Sequence, residues 1–425
     1  MSRNQSRDWL LPASLGGLSW VALVAFFRHH RYQFMQKNAH ATLLAIRSAK
    51  DTDTATNATA AKQCPAAADN TSANNDDDIG QSAWRMHNLL TANELVFESW
   101  MAMVSRGLFL TYAVPSISAV LQHTGGFSKD VDRRYADTEL LIREFSESAV
   151  DGTVAFNGQP HRAVLALHRL NAIHQEYSNL ITYRDMVYVL SVFAVAPGTW
   201  FASRWSWRDL SPEERECVYH QWCQIGAVMG LDISTHFSCW GDIRDYKKAF
   251  EAKHMRYAPS NKLVAHSTID WFLEGSLPPW LGRIVKPLVL QVMSIMQESP
   301  AHAEALGLPA ANPVLMLLVD AALTARALFC RYLLLPRRIR YKDRLTGTDG
   351  VKITHGNNYP FEGQGCPVSM TYRPTRSLDF NNKTYTPEGT QGEPYIIENM
   401  GPRHIQAGLL CPHPRYLGHD EKKII

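Results

Sequence analysis

The sequence predicts a mainly α-helical protein: a bundle of many helices behind an N-terminal single-pass membrane anchor, finished by an irregular C-terminal tail. Three observations carry this reading. Apolar residues recur at three- and four-residue spacing from about Trp84 to Tyr341, and alternating strand-like runs are scarce. An uncharged run of eighteen residues, Leu10 to Phe27, stands near the start. With 425 residues, 45% of them apolar, the chain has material for one large core with appendages.

Taken in order, residues 1–37 form the anchor, with the span at about 10–27. Eighteen residues is near the lower limit for crossing a hydrocarbon layer roughly 30 Å thick. A cleaved signal peptide would carry its basic residues before the apolar run and a small-residue cleavage site after it. Here Arg28-His29-His30-Arg31 and Lys37 follow the run and no such site does. The positive-inside tendency then puts the C-terminal side in the cytoplasm, with the endoplasmic reticulum as the expected membrane. Residues 38–83 follow as a low-complexity linker. After a helical continuation to Ala49, Asp51 to Asp78 is Ala, Thr, Asn and Asp with almost nothing bulky, too little to offset chain entropy.

Residues 84–342 are the helical domain. Glu94 to Leu110 has a broad apolar stripe, and Tyr135–Ser148, His161–Tyr177 and Arg184–Val195 continue the pattern. Ser211-Pro212-Glu213-Glu214 supplies a cap, a proline at the first position and acids in the first turn of a helix closed by Gly230. Pro259 interrupts a later helical pair, and Pro313 to Leu335 is long and strongly apolar. Residues 343–425, rich in Pro and Gly, read as a tail wrapped on the domain.

Composition excludes several classes. A net charge of +3, evenly spread, does not suit a nucleic-acid partner. Seven cysteines without a C-x-x-C pair argue against a disulfide framework or zinc ribbon. There is no G-x-S-x-G elbow, P-loop, G-x-G-x-x-G or C-x-x-C-H, and Cys366 lacks the flanks of a haem-thiolate loop. His174-Gln-Glu176 cannot form a facial triad on a helix, because residues two apart point about 200° around the axis. Glu251-Ala-Lys-His254 is a lone Glu-x-x-His where a di-iron site needs two, and reads as a surface turn.

The informative constellation is polar. Arg134 and Thr138 share one helix face, and Asn171 and His174 share another. Buried polar groups without partners are costly, so such a set makes sense around a metal or cofactor. A single inward histidine suits the axial position of a haem, although a core histidine satisfied by its neighbours fits the same pattern. Arg134 has a bland alternative too, a surface pairing with Asp137 or Glu139.

Longer motifs narrow the choice. Phe109-Leu-Thr-Tyr-Ala-Val-Pro-Ser-Ile-Ser118, Arg134-Tyr-Ala-Asp-Thr138 and Asn171-Ala-Ile-His174 resemble the fungal ER-bound oxygenases of mycophenolic acid biosynthesis, the MpaB family. The likeness continues through Arg184–Phe193, Trp207-Arg208, Leu277–Leu281 and Leu335–Arg338. It reaches Tyr385–Gly389 and Glu398-Asn-Met-Gly-Pro402 in the tail. That family is in turn similar to the rubber oxygenase (latex clearing protein) catalytic domain.

The resemblance implies a globin-like bundle that holds haem b, with its iron, and uses O2 on a hydrophobic prenylated or polyketide-derived molecule, by oxidative C=C cleavage or a related oxygenation, beside other biosynthetic enzymes. It implies His174 as the axial ligand, with His168 as the second choice, Arg134 and Thr138 on the distal side, and Asn171 near the cofactor. Asp137 stands where the rubber enzyme has a lysine, which implies an open distal site or a carboxylate in another role. Two further readings remain at this point: a non-catalytic binder of a hydrophobic metabolite, and a non-haem metal oxygenase using carboxylates such as Glu144 or Glu251.

Overall fold

The structure is a computed structural model, and it describes residues 10–60, 86, 90, 107–146, 150, 162–201, 203, 205–336 and 397–418. The helix expected from Glu94 lies largely outside these residues, as do the linker beyond Ala60 and most of the tail.

Among the described residues the chain is helical, and its one β-bridge joins Thr182 to Leu417. Helix α1 (Leu10–Ala60) runs through the expected anchor and on for ten residues into the stretch expected to be an unstructured linker. Its later half is a core element. Met35, Ala39, Leu43 and Ile46 recur at helical spacing and are buried, and this stripe lies on α7 (Pro212–Val228).

Four helices frame the interior: α4 (Val131–Ser146) on α5 (Arg162–Glu176), and α6 (Tyr183–Phe201) on α7. They match the expected helices to within a few residues, except that α6 continues past Pro197. α7 begins as the sequence predicts. Ser211 accepts from the Glu214 N–H, Glu214 accepts from the Ser211 N–H, and Pro212 takes the first position, a box worth about 1 kcal/mol. Past its end Gly230 takes φ +70°, open to glycine without strain.

The remaining helices wrap this frame. α2 (Pro115–His123) and α3 (Gly126–Lys129) lead into α4; α8 (Ile233–His236) and α9 (Trp240–His254) follow α7, with α9 on α6. α10 (Pro259–Ser276) crosses α2 and is fixed by a buried cluster in which the Ser118 hydroxyl donates to Asn261 Oδ1 at 2.5 Å. Tyr135, on α4, bonds Thr268 on α10 and stacks on Trp271 at 4.2 Å. α11 (Pro279–Ile295), α12 (Pro300–Ala305) and α13 (Pro313–Tyr332) complete the chain order.

The C-terminal segment 397–418 lies on α5. Arg169, 1% exposed, donates to the carbonyls of Met400 (2.6 Å), Gln406 (2.9 Å) and Leu409 (3.0 Å). One guanidinium thus satisfies three acceptors of an irregular segment that has no ladder of its own.

Glu251 corrects the sequence reading. It is buried rather than on a surface turn, and His254 is no partner to it but sits against Phe250. Glu251 Oε1 lies 2.9 Å from Lys247 Nζ, accepts from the Tyr188 hydroxyl at 3.0 Å and faces His302 Nε2 at 3.5 Å. Lys247 also pairs with Glu298 at 2.8 Å. Each buried charge here has an opposite partner, as burial demands.

Candidate functional site

Between α2, α3, α4, α5, α6 and the segment Gly401–His404 lies a cavity of about 380 Å³, a size suited to a small molecule or cofactor. Its walls are mostly apolar: Tyr112, Phe127, Leu141, Phe145, Ile173, Leu190, Phe193 and Trp222 among others. Phe193 and Trp222 stack at 5.3 Å, which joins α6 to α7 behind the cavity.

The polar constellation read from the sequence converges here. Arg134, Asp137 and Thr138 from α4 and His174 from α5 all line the cavity. Their i, i+3 and i+4 spacings place them on the faces that two packed helices turn toward the same space.

His174 is partly exposed, and the space it meets is this cavity. Its Nδ1 is buried with no hydrogen-bond partner among the described residues, which leaves Nε2 as the nitrogen available to a ligand. Burial, reinforced by the nearby Arg134 charge, pushes its pKa down to about 4, so the ring is a neutral imidazole at ordinary pH. His168 lies outside the lining, toward His413, where burial also lowers its pKa. Of the two candidates only His174 meets the cavity.

Arg134 forms no ion pair or side-chain hydrogen bond among the described residues; its guanidinium lies 5.7 Å from the centre of the Phe127 ring. A half-buried guanidinium at the wall of a mostly apolar cavity is available to something anionic or strongly polar. The surface pairing with Asp137 is not made, and the Glu139 side chain lies outside the described residues.

Thr138 meets the cavity with its donor already committed, since its hydroxyl donates to the Arg134 carbonyl at 2.6 Å. Toward a ligand it offers lone pairs.

Asn171 turns elsewhere. Its Nδ2 donates to the Val228 carbonyl at 2.9 Å, tying α5 to α7, and it is absent from the lining.

Asp137, 3% exposed, accepts from the Gly401 N–H at 2.8 Å and lies 3.4 Å from Arg133 Nε. Burial pushes its pKa up to about 6, against the pull of the Gly401 bond and of Arg133. Its Oδ1 is buried without a partner.

Sequence reasoning missed two contributors. Asp185 on α6 lines the cavity with a buried, unpartnered Oδ1. Gly401–His404 close one wall, and the motif Glu398–Pro402 was the signal that the tail belongs to the site.

The donor set fits a haem iron: a neutral imidazole at the edge of a mostly apolar, aromatic-lined cavity. In one respect the fit departs from the usual arrangement, in which the second ring nitrogen has an acceptor. The cluster Glu251, Glu298 and His302, of which Glu251 and His302 are buried, has ligand atoms within 4.8 Å of one another. Lys247 Nζ already lies between its two carboxylates, and none of the three lines the cavity. Glu144 is fully buried and does not line it either.

A helical shell thus surrounds a mostly apolar cavity that two histidines, His174 and His404, line. Residues 96–340 match the family model described as "ER-bound oxygenase mpaB/B'/Rubber oxygenase, catalytic domain". Spanning more than half of the chain, this match makes the protein a member of that family. It is similar to the ER-bound oxygenase mpaB' of Penicillium brevicompactum, 29% identical over 244 residues, 54% of each chain. It is also similar to ER-bound oxygenase mpaB of Penicillium roqueforti, 30% identical over 205 residues, covering 45% of this chain and 64% of that one. For mpaB of Penicillium brevicompactum the figures are 28% over 217 residues, 47% and 53%. The chain thus spans between about half and two thirds of the length of the curated relatives it matches.

Proposed function

We propose that the protein is a haem-dependent oxygenase, anchored in the endoplasmic reticulum membrane by the first part of α1 with its catalytic domain on the cytoplasmic side. Its globin-like bundle holds haem b, and it uses O2 on a hydrophobic prenylated or polyketide-derived molecule of fungal secondary metabolism, by oxidative C=C cleavage or a related oxygenation. The observation that carries the reading is His174: a neutral imidazole facing a mostly apolar cavity, with Arg134 lining the same space. The family's description as ER-bound oxygenases supports the activity and the membrane.

His174 would hold the iron through Nε2. When bound, the porphyrin supplies the redox chemistry of dioxygen that no side chain can. The chain's own residues do the rest. The apolar lining excludes water and orients a greasy substrate. Arg134 presents a fixed positive charge, worth most where water is absent. Asp137, with a pKa of about 6, holds or releases a proton at Oδ1 near neutral pH.

Purified full-length protein tests this directly. We expect a Soret band with one iron per chain, lost in His174→Ala and kept in His168→Ala. Colourless, iron-free protein that still binds apolar ligands would leave only the binder. Iron without a Soret band would favour the non-haem reading, for which the Glu251–Glu298–His302 cluster is the one specific observation.

A further inference from the structure

Helix α13 is apolar on nearly every side yet lies on the surface. Its twenty residues carry a window of mean hydropathy 1.8 of which only 11% is buried. Val314 is 68% exposed, Leu317 67% and Leu318 61%, and Leu328 and Phe329 continue the run. α11 packs beside it and presents its own stripe at helical spacing, Trp280 (65%), Ile284 (67%) and Leu288. On another side α13 meets α1, where Trp20 Nε1 donates to the Leu333 carbonyl and Arg28 donates to that of Leu334 at 2.7 and 3.1 Å. Next to these bonds Leu23, Phe26 and Phe27 are exposed. Three helices from distant parts of the chain, packed each on the next, thus leave many large apolar residues in solvent, more than a soluble monomer ordinarily shows.

We propose that this face, α11, α13 and the exposed side of α1 from Trp20 to Phe27, is sunk in the interfacial layer of an anionic lipid bilayer. Charge complementarity selects lipid over protein as the occupant. Arg283 on α11 and Arg331 on α13 are exposed, and the sequence just past α13 adds Arg337, Arg338, Arg340 and Lys342. No acid interrupts residues 10–50 or 321–342. Greasy residues with exposed arginines on the same helices match acyl chains beneath anionic headgroups.

α13 is long enough to cross, at about 30 Å, but it lies along the surface instead. Asp320, near its middle, accepts from Trp205 Nε1 of the helical body at 2.7 Å, and Ala327 and Cys330 are buried against the protein. A helix stapled at its middle rests on a membrane rather than spanning it. The inner face of α11 packs, through Val285, Val289 and Leu290, on the cluster that includes Tyr112 and Phe127 of the cavity wall. The membrane face therefore backs onto the cavity, on the side from which a lipid-soluble molecule arrives. This inference does not rest on haem, nor on α1 crossing the bilayer.

The test uses the full chain reconstituted in phosphatidylcholine–phosphatidylserine vesicles. Ile284→Cys and Leu317→Cys carry an environment-sensitive fluorophore, with Lys248→Cys on α9 as the control, and labelled sites are verified by peptide mass. Lipids with a shallow nitroxide are expected to quench the probes at 284 and 317 at least threefold more than the probe at 248. Equal quenching at all three sites overturns the proposal. So does weak quenching at 284 and 317 together with probe shielding that grows with protein concentration in detergent, which assigns the face to a second copy of the chain. Colourless protein that passes this test would sink the haem reading and leave the membrane face standing.

Discussion

The backbone N–H of Gly401 donates to Asp137 Oδ2 at 2.8 Å, a hydrogen bond between residues 264 positions apart. It joins the C-terminal segment to the helix that carries Arg134 and Thr138. Arg133 doubles the link by donating to the Gly401 carbonyl at 2.7 Å. One wall of the cavity is therefore made by chain that lies outside the family match of residues 96–340.

Gly401→Ala tests that clasp. Gly401 sits at φ +105°, and a Cβ there would come within 2.6 Å of Ile173 Cδ1. Backbone strain and overpacking together should cost about 3 kcal/mol. A urea midpoint unchanged from wild type, with residues 397–418 still resistant to protease, would show the clasp to be dispensable.

Arg169→Met should act on the same segment by another route. The side chain keeps its volume while three carbonyls lose their donor. The expected loss is about 3 kcal/mol, with early proteolysis near Gln406. Lysine should recover only part, because one ammonium cannot reproduce the guanidinium fork.

Two cavity residues pull the pH dependence of stability in opposite directions. Asp137 titrates at about 6 when folded and at 3.8 ordinarily. Between those values the native state holds a proton that the unfolded chain has lost, so stability falls as pH rises. His174 titrates at about 4 against 6.5, so there the unfolded chain holds the extra proton and stability rises with pH. In ligand-free protein the two largely cancel between about pH 4 and 6. Asp137→Asn should uncover a rising slope of up to about 1.4 kcal/mol per pH unit, and His174→Phe a falling one. Parallel denaturation profiles for wild type and both variants would contradict these titrations.

Arg134→Ala should retain any bound pigment and lose about a hundredfold or more in turnover, the scale for removing one charge-stabilising donor from a dry site. Loss of pigment together with turnover would make Arg134 a cofactor-holding residue instead.

Lys247→Met should destabilise the protein by about 3–5 kcal/mol, because Glu251 is left buried without its ammonium. Adding zinc or iron(II) to the chelator-treated wild type should leave its melting temperature unchanged, since the lysine already fills the space between the carboxylates. A metal-dependent rise would convert this cluster from a structural ion network into a metal site.

Much of this was legible from local pattern. The box at Ser211–Glu214, the stop at Gly230 and the start at Pro313 are set by neighbouring residues, and the structure has them where the sequence put them. Arg134, Asp137, Thr138 and His174 were found together because helical spacing aligns them within two helices. The orientation of Asn171 was not legible, since its partner is a carbonyl on a third helix. Glu251 failed for a similar reason, because its burial depends on Lys247, Tyr188 and His302, which come from three different helices. Nor does periodicity reveal that the tail closes the cavity. That depends on Arg169, Arg133 and Asp137 bonding backbone far along the chain, and in sequence they look like any surface charges.

The continuity of α1 has a mechanical consequence. The same rod that exposes Trp20 and Phe26 at one end is keyed into α7 at the other by Met35, Ala39 and Ile46. With the first part of α1 in the membrane, as proposed, this unbroken helix would couple the body to its anchor without an intervening flexible leash. The body would keep one attitude to the lipid plane while it drifts, meeting its molecules in a two-dimensional search from a single, constant direction.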